Sequence, residues 1–157
     1  MPHVSANGID LAYDSLGEGS PMLLVMGVGA QLVYWPDGFC ELLAAEGFRV
    51  IRFDNRDVGL SSKMDGQRAP NLWGLAVRAL LGFRREVPYT LEDMADDAVG
   101  LLDGLAIDRA HVVGVSMGGM VAQAMAIRHP RRLSSLTSMM SHPGDARYLL
   151  AHPAAMR

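Results

Sequence analysis

The chain has 157 residues, half of them hydrophobic, which is enough for one domain with a buried core. Its formal net charge of -3 leaves no basic footprint for nucleic acid or for an anionic membrane surface. A single cysteine, Cys40, allows no internal disulfide, and residues 1–10 have neither the basic start nor the apolar stretch of a signal peptide, so a reducing, cytoplasmic setting is expected.

Strand-like runs alternate with helix-like ones after a hairpin signal at Asn7-Gly8, and that alternation predicts an α/β fold. Residues 22–26, 50–53, 112–115 and 133–140 are short, β-prone, mostly apolar runs, as parallel strands covered on both faces require. Residues 36–46 carry Phe39, Leu42 and Leu43 at helical spacing with Gly47 as the stop, which makes a strand–helix–strand unit with the run that follows. Thr90-Leu-Glu-Asp93 has the form of a capping box, and Leu91, Met94, Ala98, Leu101, Leu102 and Leu105 then recur at helical period up to a stop near Gly104. Residues 62–88 are the least regular. Their apolar patch, 72–83, reads either as an excursion near a site or as a short helix packed on the core edge. The most apolar stretch, 112–127, is interrupted by Ser116 and Gln123 and falls short of the ~20 residues that cross a bilayer, so no membrane is expected as a partner.

Three segments carry chemistry. The first is Gly114-Val-Ser116-Met-Gly118, placed between a predicted strand and a helix-forming run that ends at Pro130. That is the form of a nucleophile elbow: Ser116 sits on a tight turn that projects its Oγ, and the flanking glycines remove side chains that would collide there. The Met117 N–H at the helix start then faces a developing oxyanion, a charge the helix dipole favours. The second is Met26-Gly-Val-Gly29, a Gly-rich turn directly after the first long apolar strand, where Val28 would offer a second oxyanion N–H. A phosphate-binding loop or a plain turn is the alternative there. A dinucleotide fingerprint fails, because Leu32 stands where G-x-G-x-x-G needs its third glycine. The third is the run from Asp54 to Ser61, in which Asp54 and Arg56 are expected to tie down a turn by hydrogen bonds and charge pairing, with Gly59 permitting the bend.

In this order the three segments, with Ala110-His-Val-Val-Gly before the elbow, resemble the α/β-hydrolase superfamily in its esterase, lipase and cofactor-free haloperoxidase branch, and among its members the sequence looks most like polyketide methylesterases. The resemblance implies a mostly parallel sheet with helices on both faces, in a single partial core domain over 1–157 whose last stretch, 143–157, begins a cap region. It implies a small-molecule ester substrate, an acyl-enzyme on Ser116, oxyanion donors at Val28 and Met117, and no metal or organic cofactor. Where the family often has His, this chain has Met26. The resemblance also implies a triad in the chain order Ser, acid, His. After Ser116 the sequence offers only His129, which closes a helix before Pro130, and then His142, Asp145, Tyr148 and His152. His3, His111 and His129 read as surface or helix-end residues. His142, past the end of a strand and close to Asp145, is the candidate for a substitute base. The chain is therefore expected to be a weak esterase on its own, to leave the strand from Ser134 to Met140, or another internal strand, as an exposed edge, and to self-associate or require a further part. A cofactor-free perhydrolase or haloperoxidase, and a non-catalytic binding or assembly fragment, remain the other two readings.

Overall fold

The computed structural model describes residues 1–64 and 87–143. The apolar patch at 72–83, and Asp145, Tyr148 and His152, lie outside the described residues.

Strands β1 (His3–Ala6) and β2 (Ile9–Leu16) form a hairpin. Its two central residues, Asn7 and Gly8, have φ of +49° and +77°, as the tight turn that matches strand twist requires. β3 (Ser20–Val25), β4 (Phe48–Phe53), β5 (Ala110–Val115) and β6 (Leu133–Met139) complete a six-stranded sheet in the order β1-β2-β4-β3-β5-β6. β2 meets β4 antiparallel, and β4, β3, β5 and β6 run parallel to one another. Helix α1 (Asp37–Ala45) lies between β3 and β4, α2 (Leu91–Gly104) precedes β5, and α3 (Met117–Arg128) joins β5 to β6.

Strand pleating sorts the core into two halves. Leu23, Val25, Ile51, Phe53 and Val112 pack with Met94, Ala98, Leu101 and Leu102 of α2 and with Val121, Ala122 and Met125 of α3. Met22, Leu24, Val50 and Val113, from alternating positions on the same strands, pack with Trp35 and Cys40 on the other face. The sheet is thus covered on both faces, as its near-continuous apolar strands demand. Burial also pushes the Cys40 thiol above its ordinary value.

The capping box is formed: Thr90 Oγ1 accepts from the Asp93 N–H and Asp93 accepts from the Thr90 N–H. The helix over 36–46 is present, but its inward face is not the one its leucines suggest. Cys40 is its buried residue, with Leu43 and Ala44 packed beside it, while Leu42 is 70% exposed. Phe39 turns instead to stack on Trp35 at 5.7 Å. Cys40 and Ala44, small side chains one turn apart, let this helix settle against the sheet with Leu43 beside them, which helical spacing alone cannot reveal. β6 stops one residue short of Met140, whose φ is +47°. Ser134 to Ser138 are exposed, and β6 pairs only with β5 among the described residues, so it is an edge strand.

A buried ionic network ties the hairpin and the segment after β4 to α2. Arg56 Nε and Nη2 donate to the two Asp97 carboxylate oxygens, both at 2.6 Å, and Asn7 Nδ2 donates to Asp97 Oδ1 at 2.9 Å. Asp97→Ala leaves the Arg56 charge buried without its partner and is expected to lower the unfolding free energy by about 3–5 kcal/mol in urea denaturation. Asp96→Ala, which removes solvent-exposed contacts to Arg128 and His129, should cost much less. Equal losses would show that burial does not set the strength of the Arg56 network.

Candidate active site

β5 runs into α3 through Ser116, whose backbone adopts φ +53° and ψ -122°. An L-residue rarely occupies that region, and holding it there costs about 1–3 kcal/mol that the surroundings must offset. They do so by direct contact. The Ser116 N–H donates to Met139 O at 2.9 Å, and Ser116 O accepts from the Gly119 N–H at 3.0 Å. A Cβ on Gly114 would stand 2.2 Å from Gly118 O, and a Cβ on Gly118 would stand 2.1 Å from Val25 O. Neither position can carry a side chain, which is the physical content of the two glycines that flank the serine. Ser116 itself is exposed.

The loop after β3 lies against this turn. A Cβ on Gly27 would be 3.3 Å from Ser116 Cβ and 3.7 Å from its Oγ, so the backbone there is in van der Waals reach of the hydroxyl. The loop then turns back through Gly29, at φ +66°, with the Ala30 N–H donating to Gly27 O at 3.3 Å. The structure thus brings Ser116, Met117 and the loop carrying Val28 to one end of the sheet. Val28, Leu60 and Met140 are exposed apolar residues that follow the carboxyl ends of three different parallel strands, the end of an open α/β sheet at which ligands collect.

The Asp54–Ser61 segment divides its work differently from the sequence expectation. Asp54 makes the hydrogen bonds: Oδ1 accepts from the Leu32 N–H at 2.7 Å and Oδ2 from the Leu60 N–H at 2.8 Å. Gly59 supplies the bend at φ +50°. The charge pairing of Arg56, however, runs out of the turn to Asp97. The residue the sequence reading passed over is Asn55. It is buried, and its Nδ2 donates to Met26 O at 3.0 Å. Its place directly after a parallel strand was the available signal.

Three histidines are engaged away from Ser116. His3 Nε2 lies 3.4 Å from Leu60 O, and His111 Nδ1 lies 2.8 Å from Ser135 Oγ. His129 Nε2 is 2.6 Å from Asp96 Oδ1, and this ring, followed by the Arg128 guanidinium, holds the Asp96 carboxyl below its ordinary value. Twelve residues of α3 separate His129 from Ser116, about 18 Å of helix, so His129 does not reach the serine. His142 follows β6 by three residues, at the same end of the sheet as Ser116.

A family model described as alpha/beta hydrolase fold matches residues 20–155. The rhodomycin D methylesterase of Streptomyces peucetius is 33% identical over 156 residues, which cover 98% of this chain and 46% of that protein. A protein provisionally named a non-heme bromoperoxidase, from Mycobacterium tuberculosis, is 31% identical over 131 residues, 83% of this chain and 42% of its own. Among solved structures, a thermophilic esterase from Thermogutta terrifontis superposes with a TM-score of 0.71 at 31% identity, covering 90% of this chain and 46% of that one. The chain spans about half the length of the curated relatives it matches. No helix among the described residues is long and apolar enough to cross a membrane.

The backbone of Ser116 yields a direct test. Ser116→Ala keeps a Cβ in the disfavoured conformation, and Ser116→Gly releases it. The Gly variant should be the more stable of the two by about 1–2 kcal/mol in thermal or denaturant unfolding. Equal stabilities would mean that the turn is not strained.

Proposed function

Since the chain belongs to the alpha/beta hydrolase fold family, we propose that it carries the nucleophile of a serine esterase that cleaves carboxylic esters through an acyl-enzyme on Ser116. The observation that carries this reading is the backbone of Ser116, at φ +53° on a strand-to-helix turn pressed against Gly27. Ser116 Oγ attacks the ester carbonyl carbon while a histidine takes its proton, and the carbonyl electrons move onto an oxygen held by the Val28 and Met117 N–H groups. Met117 is suited to this because the first N–H groups of a helix have no intrahelical acceptor, and the α3 dipole favours the negative charge. Collapse expels the alcohol with the histidine's proton. Water, deprotonated by the same base, then attacks the acyl carbonyl and restores Ser116. Each oxyanion donor is worth about 10²- to 10³-fold in rate. The chemistry requires no metal or organic cofactor.

Two observations support a methyl ester of a large apolar acid as the substrate class. One is the methylesterase relative. The other is the exposure of three apolar residues, Val28, Leu60 and Met140, that follow the carboxyl ends of β3, β4 and β6. The bromoperoxidase relative favours a second reading, in which hydrogen peroxide replaces water on the same acyl-enzyme and releases a peracid. Bromination of a diketone in the presence of acetate, bromide and peroxide separates the two.

His142 is at the right end of the sheet but departs from the chain order Ser, acid, His, and losing the histidine of a serine triad costs ~10⁶ in turnover. The 157-residue chain should therefore hydrolyse p-nitrophenyl acetate orders of magnitude below the ~10 s⁻¹ typical of enzymes, with Ser116→Ala removing the residue of activity. Turnover near ~10 s⁻¹ would contradict this. His142 would then be the base, and His142→Ala should silence the protein while His129→Ala leaves it active.

The β6 edge supports a further part of the proposal, self-association through strand pairing with a second copy. Its exposed run, Ser134 to Ser138, carries no charge and no proline to block such pairing. Sedimentation velocity should show oligomers, and Leu136→Lys should shift them towards monomer. A wild-type monomer over a wide concentration range would rule it out.

A further inference from the structure

The loop that carries Val28 is held from outside. Residues 27–31 contain Gly27 and Gly29, so their backbone has more freedom to lose than side-chain-bearing residues at those two positions would give it. Inside the loop the chain closes on itself through the Ala30 N–H to Gly27 O at 3.3 Å, long for such a bond. The two residues that flank the loop are fixed more tightly, and by neighbours in sequence. Asn55 Nδ2 donates to Met26 O at 3.0 Å, and Asp54 Oδ1 accepts from the Leu32 N–H at 2.7 Å. Both side chains are nearly sealed from water, with Asp54 at 3% and Asn55 at 2% exposure.

We propose that Asp54 and Asn55 are positioning residues for the oxyanion donor, clamping the loop 27–31 at its two ends so that the Val28 N–H is aimed before substrate arrives; this rests on the esterase reading above. A residue that merely closed the Asp54–Ser61 turn would spend its hydrogen bonds inside the turn, and Asp54 Oδ2 does so with the Leu60 N–H. The other two bonds leave the turn and reach the loop. Asn55 holds the peptide plane between Met26 and Gly27, and only the two Gly27 torsions separate that plane from the Val28 N–H. An oxyanion donor acts through being fixed in advance, so removing that anchor should lower transition-state stabilisation while leaving substrate contacts in place. The turn is itself fastened to α2 by the Arg56–Asp97 pair and to β2 by Ser61, whose Oγ donates to Asp54 O and accepts from the Ala12 N–H. The clamp therefore has a rigid base.

The test uses the full chain with Asn55→Ala and Asp54→Asn, and reads backbone amide exchange by NMR. The Ala30 N–H is bonded to neither side chain, so its exchange reports the loop and not the deleted bond. It should accelerate at least ~10-fold in either variant, while Val112 and Val113 in β5 stay at wild-type rates. Saturation labelling of Ser116 by a serine-directed phosphonate supplies the second measurement. Its limiting rate should fall ~10- to 100-fold in the variants with an unchanged half-saturating concentration. Labelling of the wild type and of Ser116→Ala at the same rate would sink the esterase reading on its own; a wild type that labels too slowly to read lacks its base, and Ala30 exchange alone then decides the clamp. The proposal is overturned if Ala30 exchange is unchanged, or if it rises only in step with Val112 and Val113. Unfolding of both variants would assign the pair to the fold and overturn it equally.

Discussion

A Cβ on Gly118 would stand 2.1 Å from the carbonyl oxygen of Val25, so the first turn of α3 rests directly on the last residue of β3. That contact requires β3 and β5 to be neighbours in register, with Val25 opposite Gly114. It also requires the chain to reverse between Val115 and Met117 in a single residue, which is what drives Ser116 into its disfavoured conformation. Once these conditions are met, the loop leaving β3 has nowhere to go but alongside the serine. The nearness of Gly27 to Ser116 is therefore a consequence of how a helix packs on a strand end, and the site inherits the rigidity of the core beneath it.

Polar groups buried around the turn after β4 serve a different end. Two charges taken out of water, Arg56 and Asp97, gain little net stability over apolar residues of the same volume, since desolvation offsets most of their attraction. Their bidentate geometry does fix which parts of the chain may meet: the hairpin through Asn7, α2 through Asp97, and the turn through Arg56. A hydrophobic contact at this place would tolerate sliding. The ion pair does not, and the two residues before Arg56 in the chain are the ones that hold the residues on either side of the loop after β3.

What was legible in the sequence was what local chemistry writes. The hairpin needs positive φ at two successive residues and has Asn7-Gly8; the α2 start needs a reciprocal cap and has Thr90 and Asp93; the elbow needs two absent side chains and has Gly114 and Gly118. Contacts between residues distant in sequence were not legible. Arg56 finds Asp97, 41 residues away, and Asn55 finds the Met26 carbonyl, 29 residues away. Neither partner leaves a mark on the spacing of its own segment. The face of α1 was hidden for a related reason. Helical period locates a stripe, but which stripe goes inward depends on how closely the sheet allows the helix to approach, and here Cys40 and Ala44 won over Leu42.

Strand order explains why each part of the site is held by a different neighbour. Around the site the sheet runs β4, β3, β5, β6, with about 4.8 Å between adjacent strands. The β3 loop thus lies between the serine that follows β5 on one side and the Asp54–Asn55 pair that follows β4 on the other. Ser116 in its turn lies between that loop and the end of β6, where Met139 O takes its N–H. Each element is flanked on both sides by the ends of adjacent strands, so none has to be stabilised by its own local hydrogen bonds. That matters for the β3 loop, whose glycines allow a close approach to Ser116 and cannot by themselves hold a conformation. Freedom in the loop and fixation by the next strand's turn are complementary: the first permits the backbone to approach Ser116, and the second holds the ends of the loop while it does so.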